Sequence, residues 1–199
     1  MGNDARTATA YLGLGSNLGD RLAALRAAVE ALHLAEHVSV EGQLAVASLY
    51  ESAPLAPPSE RSPQGPFLNS AVRVQTALEP HELLRTALAI EDALGRVRRR
   101  RWEARIIDID VLLYDDIIVN EVNLTLPHPG LHLRRFVLDP LADIAPDVVH
   151  PTMHTTIRAL AVRATAAHPA EAATRIMGNR WASAIRPLRP SAATQQNAT

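Results

Sequence analysis

Apolar positions change their spacing several times along the chain, and each change marks an element. Thr9 to Leu14 is a short apolar run that predicts a strand, broken by the glycine-rich turn Gly15-Ser-Asn-Leu-Gly-Asp20. From Asp20, a residue type suited to capping, Leu22, Leu25, Val29 and Leu32 recur at helical spacing. Val38 to Tyr50, rich in valine and small residues, predicts a second strand, long enough to carry a bulge. Pro54, Pro57, Pro58, Pro63, Gly65 and Pro66 then forbid regular structure, so Glu51 to Pro66 predicts a long loop. Strict alternation resumes from Phe67 to Thr76 and puts Phe67, Asn69, Ala71 and Arg73 on one face of a third strand. Pro80 opens a helix through Leu83, Leu84, Ala87, Leu88 and Leu94, and Gly95 closes it. Ile107 to Tyr114 predicts a fourth strand, after which Asp115-Asp116 turns into a small hairpin from Ile117 to Leu126.

The order β-α-β-β-α-β suits an α+β, ferredoxin-like fold, an antiparallel sheet of four strands with helices on one face. In that arrangement the strand from Ile107 is expected to be central or nearly so. Two further helices are predicted, over Leu133 to Asp143 and Thr155 to Ala167. From Pro169 the chain turns rich in Ala, Thr and Pro, and Ile185 to Thr199 has almost no large apolar residue, which predicts disorder at that end. The expected division is a flexible leader over 1–8, one domain over 9–168 and a C-terminal extension over 169–199.

Composition narrows the chemistry. The 199 residues are 47% hydrophobic, enough for a real core, and the net charge of −1 gives no global pull toward nucleic acid or membrane. Cysteine is absent, which removes disulfides, thiolate catalysis and cysteine-type zinc sites, and favours the cytoplasm. No apolar run is long enough to span a bilayer and the first residues lack a signal-peptide core, so no membrane partner is expected. All 20 Lys+Arg residues are arginine, so Schiff-base chemistry and a lysine-bearing phosphate loop are excluded.

Against this neutral background one stretch stands apart. Between Gly95 and Tyr114, Arg96, Arg98, Arg99, Arg100, Arg101 and Arg105 lead into Asp108 and Asp110, which alternate with Ile107, Ile109 and Val111. On a strand both carboxylates share one face, a fit for magnesium, which binds through one or two carboxylates plus substrate phosphates. The arginines before them could grip those phosphates. Gly13-x-Gly15-x-x-x-Gly19 resembles a dinucleotide fingerprint only loosely, since its last glycine is displaced by one and no further βα units follow. These glycines serve either close packing or the approach of a ligand to the backbone. Phe67 and Phe136 are the only two phenylalanines, each beside a polar residue, Asn69 or Arg134. Such rings could sandwich a flat heteroaromatic with Asn69 bonding its edge.

Seven segments occur in the order found in the 6-hydroxymethyl-7,8-dihydropterin pyrophosphokinase family, which the chain resembles from about Thr9 to Pro151. They are Gly15-Ser-Asn-Leu-Gly-Asp, Tyr50-Glu-Ser-Ala-Pro-Leu, Phe67-Leu-Asn, Gly95-Arg-Val-Arg, Trp102-x-x-Arg-x-x-Asp-x-Asp, Leu126-Pro-His and Arg134-Arg-Phe-Val-Leu-x-Pro-Leu. The resemblance implies an ATP-dependent transfer of pyrophosphate to the pterin hydroxymethyl group in folate biosynthesis, releasing AMP. It implies two magnesium ions on Asp108 and Asp110, with Arg96 and Arg105 catalytic. Pterin contacts fall to Ser52, Leu55, Phe67, Asn69, Trp102 and Phe136, and ATP contacts to Glu91, Arg98, Arg105, His128 and Arg134. Transient contact with neighbouring folate-pathway enzymes is a further partner it allows. Departures from the pattern are Ala53 within Ser52-Ala53-Pro54 where Thr-Pro-Pro is usual, Phe67 for a common tyrosine, Pro129 for an aromatic, and a basic loop one residue shorter. The irregular loops Ser52 to Pro66 and Arg98 to Arg105 are expected to close over substrates.

Two other classes use some of the same features. An RNA-binding sheet would employ Arg98 to Arg101, but needs rings on central strands where this chain has Asp108 and Asp110. A metal-dependent nuclease or phosphatase would use the same acids, and is distinguished by the paired rings and Asn69, which suit a small planar acceptor.

Overall fold

The computed structural model describes residues 7–40, 45–54, 64–97, 103–167 and 173–182. The chain opens with β1 (Ala8–Ser16) and α1 (Arg21–Leu34), whose Leu25, Ala28, Val29 and Leu32 turn inward at helical spacing. Asp20 caps α1 by accepting a hydrogen bond from the Ala23 N–H at 3.0 Å. Next come β2 (Val38–Ser39), β3 (Leu49–Ser52), β4 (Phe67–Thr76) and α2 (Pro80–Ala93). Pro80 occupies the start of α2 behind a Glu79/Glu82 capping box, and Gly95 at φ 89° ends that helical stretch in a conformation that favours glycine.

After β5 (Asp108–Tyr114) a hairpin of β6 (Val119–Asn120) and β7 (Thr125–Leu126) leads to α3 (Arg135–Ile144). A second small hairpin, β8 (Val149–His150) with β9 (Thr155–Thr156), precedes α4 (Ile157–Ala167), and β10 (Thr174–Met177) with a short helical turn over Asn179–Ala182 closes the described chain. The main sheet is antiparallel in the order β10-β3-β4-β1-β5, with β2 also paired to β4. This is the ferredoxin-like α+β sheet with one strand added.

Period-two alternation, interrupted in β5 by a bulge at Leu112 where the register with β1 shifts, divides the sheet into two faces. Leu12, Leu14, Val72, Val74, Ile109 and Val111 pack on one face under α1 and α2. Tyr11, Ala71, Leu112 and Leu113 pack on the other beneath α3 and α4. Helices therefore cover both faces rather than one, because the predicted C-terminal helices fold back over the second face. That cover is partial: the end of the sheet bearing Phe67, Asn69, Gly15 and Asp108 faces the start of α3 and the functional groups described below.

Three further expectations need correction. β5 lies at the end of the sheet, not centrally, because among the described strands it pairs with β1 alone and the β6–β7 hairpin that follows forms a separate small sheet. The strand expected over Val38 to Tyr50 is divided into β2 and β3; both pair with β4, a Val46–Val72 bridge lies between them, and 41–44 are outside the described residues. Within the expected extension, residues 173–182 join the domain: β10 pairs with β3, and Trp181 is buried. One indole supplies the burial that the surrounding composition lacks. The expectations for 1–6 and 183–199 fall outside the described residues.

Candidate active site

The register of the sheet builds the site. Tyr50 on β3 lies opposite Asn69 on β4, Asn69 opposite Gly15 on β1, and Gly15 opposite Asp108 on β5. The four form one row across the second face, with Ser52 and Phe67 paired on the same side and Asp110 opposite Gly13. Gly15 leaves the row open: a Cβ there would lie 3.7 Å from Asn69 Oδ1 and 3.9 Å from Asp108 Cβ. Of the two readings for this glycine, backbone left bare for a ligand is the one its position favours.

Asp108 is bracketed by guanidiniums: Arg96 donates to one carboxylate oxygen and Arg105 to the other. Arg96 also pairs with Glu91, an α2 residue only 1% exposed whose carboxylate accepts the Ile109 N–H at 2.6 Å. Glu91 therefore sits behind Arg96, fixing it and tying α2 to β5. Burial and the neighbouring Asp108 charge raise the Asp110 pKa, partly opposed by His128, Arg105 and Arg134. Burial lowers the His128 pKa, although Asp110 favours its charged form. His128 Nδ1 accepts the Gly130 N–H at 3.1 Å, which leaves the proton of the neutral ring on Nε2. The Arg134 guanidinium lies 5.9 Å from the centre of the Phe136 ring. It also packs on Gly130, where an added Cβ would fall 2.9 Å from its Cζ.

Two cavities meet at the acid pair. The larger, about 310 Å³, runs from Asp108 and Asp110 between Leu84 and Leu88 of α2 and the β6–β7 hairpin, with Arg96 and His128 in its wall. The smaller, about 40 Å³, lies over Gly13, Gly15 and Asn69 beneath Phe136. Asn69 is fixed there by donating to Ser52 Oγ at 2.9 Å.

Of the residues singled out in the sequence, Ser52, Phe67, Asn69, Glu91, Arg96, Arg105, Asp108, Asp110, His128, Arg134 and Phe136 come together in this region. Leu55, Arg98 and Trp102, and most of both expected closing loops, are outside the described residues. Sequence reasoning missed Asn17 as a site residue. Its Nδ2 donates to Gln64 Oε1 at 3.0 Å and its Oδ1 accepts the Arg105 N–H at 2.7 Å, joining the described ends of the two loops. The signal available was its place in Gly15-Ser-Asn, directly after a strand that ends at the site.

Fold and site together define a ferredoxin-like α+β protein with an arginine cluster and an acid pair between two cavities. The chain belongs to the 7,8-dihydro-6-hydroxymethylpterin-pyrophosphokinase (HPPK) family, whose model matches residues 11–146. That family catalyses pyrophosphate transfer to hydroxymethyldihydropterin, a step of folate biosynthesis. The 2-amino-4-hydroxy-6-hydroxymethyldihydropteridine pyrophosphokinase of Methylorubrum extorquens is 50% identical over 140 residues, covering 70% of this chain and 84% of its own. The enzyme of the same name from Bacillus subtilis is 43% identical over 139 residues, covering 70% and 79%. Among solved structures, Plasmodium falciparum HPPK-DHPS with pteroate aligns at a TM-score of 0.65 and 17% identity, a likeness of fold. The alignment covers 85% of this chain and 44% of that longer one.

Proposed function

We propose that the larger cavity takes ATP, that the smaller takes 6-hydroxymethyl-7,8-dihydropterin, and that the β,γ-pyrophosphoryl group passes between them. The pterin hydroxymethyl oxygen bonds to the β-phosphorus, the bond from that phosphorus to the α,β-bridging oxygen breaks, and AMP leaves while the hydroxyl proton is released. The observation that carries this reading is that one carboxylate pair, Asp108 and Asp110, walls both cavities. A donor in one and an acceptor in the other would then react across the same charged ridge.

The acid pair fits magnesium. Two carboxylates stand on adjacent same-face positions of β5, and burial with like charge disfavours ionising Asp110 until positive charge arrives. Asp108 and Asp110 would hold two magnesium ions, which when bound supply charge neutralisation for the triphosphate and lower the pKa of the attacking hydroxyl. Arg96 and Arg105, which hold Asp108 in the free protein, exchange it for phosphate oxygens, joined by Arg134. Glu91 keeps Arg96 in place, and His128 presents its Nε2–H on the ATP side. Phe67 and Phe136 part to admit the pterin and stack on it, while Asn69 and Ser52 bond its edge. Leu55, Trp102 and Arg98 enter this assignment by resemblance alone.

Among the described residues no helix is long and apolar enough to cross a membrane. A cytoplasmic setting, where ATP and magnesium are plentiful, suits this reading. The HPPK-DHPS chains among the structural neighbours carry a second named activity in the same polypeptide, which supports contact with another folate-pathway enzyme.

AMP formation from ATP and magnesium, measured with and without the hydroxymethyldihydropterin, tests the reading. AMP is expected only when the pterin is present. Turnover that ignores the pterin, or none with folded protein and both substrates, overturns it.

A further inference from the structure

Resting on the reading of the smaller cavity as the pterin site, a second device concerns α3, the helix that brings Phe136 to it. The row Tyr50, Asn69, Gly15 and Asp108 ends at Tyr50, whose Oη donates to Asp143 Oδ1 at 2.9 Å. The Ser48 N–H donates to the other oxygen, Oδ2, at 3.1 Å. Asp143 lies in the last turn of α3 and Phe136 in its first. Seven residues are close to two helical turns, so the two side chains leave the helix on the same side, on the order of 10 Å apart.

Leu138, Leu141 and Ile144 of α3 are buried against the second face. The hydrophobic term is strong but non-directional. A carboxylate shared between a phenol and a backbone N–H fixes both rotation and position. The same β3 strand carries Ser52, and the Tyr50 carbonyl accepts from Asn69 Nδ2 at 3.4 Å. One end of this bonded chain is therefore on the pocket's floor and the other on the helix that roofs it.

We propose that Asp143 is a positioning residue for pterin binding: through Tyr50 and Ser48 it sets α3 on the sheet, so that the Phe136 ring swings from a fixed pivot opposite Asn69. It touches neither substrate. The larger cavity, between α2, β5 and the β6–β7 hairpin, is lined by none of Asp143, Tyr50 and Ser48.

The test uses the full chain and the variants Tyr50→Phe, Asp143→Ala and the double variant, with KM for each substrate, kcat and thermal midpoint. Tyr50→Phe keeps the ring and its packing, so it reports on the bond even if Asp143→Ala folds poorly. Each single change is expected to raise the pterin KM about tenfold while the ATP KM stays within about twofold. The double variant should be no worse than the more affected single, as for two partners in one interaction. Asp143→Asn, which keeps an acceptor for Tyr50, should recover part of the pterin KM. The proposal is overturned if both KM values rise in the same proportion, or if the midpoint falls with the pterin KM unchanged. A wild-type chain without pterin-dependent turnover would instead sink the functional reading on which the proposal rests.

Discussion

Gly15 contributes a hydrogen atom where its neighbours in the row contribute a carboxamide and a carboxylate, and that absence can be tested directly. The contacts of an added Cβ, 3.7 to 3.9 Å, are ordinary, so Gly15→Ala should fold with its thermal midpoint nearly unchanged. Yet the methyl would stand on the floor of the acceptor cavity, and the pterin KM should rise severalfold; an unchanged KM would show the pterin binding elsewhere. For the acids, Asp108→Ala and Asp110→Ala should each lower kcat by about 10²–10³-fold, the scale of losing a preorganised charge stabiliser. Near-normal turnover in either would refute the metal role. Much of this was legible in the sequence, since alternation alone put Asp108 with Asp110 and Phe67 with Asn69 on shared strand faces. The bonds from Tyr50 to Asp143 and from Ile109 to Glu91 were not, because they join residues 93 and 18 positions apart whose meeting depends on how helices settle on the sheet.

Elements with strong local signals followed the sequence closely. Asp20 and Pro80 start α1 and α2 where capping chemistry placed them, and Gly95 ends the second. What escaped was structure decided by distant partners, as in the divided β2 and β3, both held by β4, and in β10, whose Thr-Arg-Ile-Met sequence has no clean alternation. The β8–β9 hairpin offers a test of electrostatics at this scale. His150 is 3% exposed, and its pKa is lowered by burial and by His132, whose ring meets it edge-on at 6.2 Å. Thr152 Oγ1 lies 3.2 Å from its Nδ1. A folded pKa below the unfolded value of about 6.5 means that, as pH falls through that value, the unfolded chain gains a proton the folded one resists. Stability attributable to His150 is therefore complete above about pH 6.5, falls below it, and stops falling once the folded ring is protonated. Urea unfolding at about pH 7.5 and about pH 5.5 should show His150→Asn losing less stability on acidification than the parent; equal losses would assign the effect to other groups.

For the whole molecule, the segment after α4 matters more than its composition suggests. Trp181 is 1% exposed, its Nε1 donates to the Ala47 carbonyl at 2.8 Å, and its own carbonyl accepts from Arg26 Nε at 2.8 Å. It thus joins α1 to the junction between β2 and β3. Trp181→Ala should destabilise the fold by about 3–5 kcal/mol, the usual cost of emptying a buried aromatic site; a loss below about 1 kcal/mol in urea titration would show the segment to be only loosely attached. The acid ridge has a different kind of reach. Because the same two carboxylates face both cavities, a ligand that changes the charge on one side changes the potential felt on the other, and the two binding equilibria cannot be independent. Thermodynamic reciprocity then fixes their relation whatever the order of arrival: a nonhydrolysable ATP analogue with magnesium must shift the pterin Kd by the same factor as the pterin shifts the analogue's. Calorimetry along both legs of that cycle should return one coupling constant, different from unity, and a value of unity would mean that the ridge separates the two sites instead of joining them.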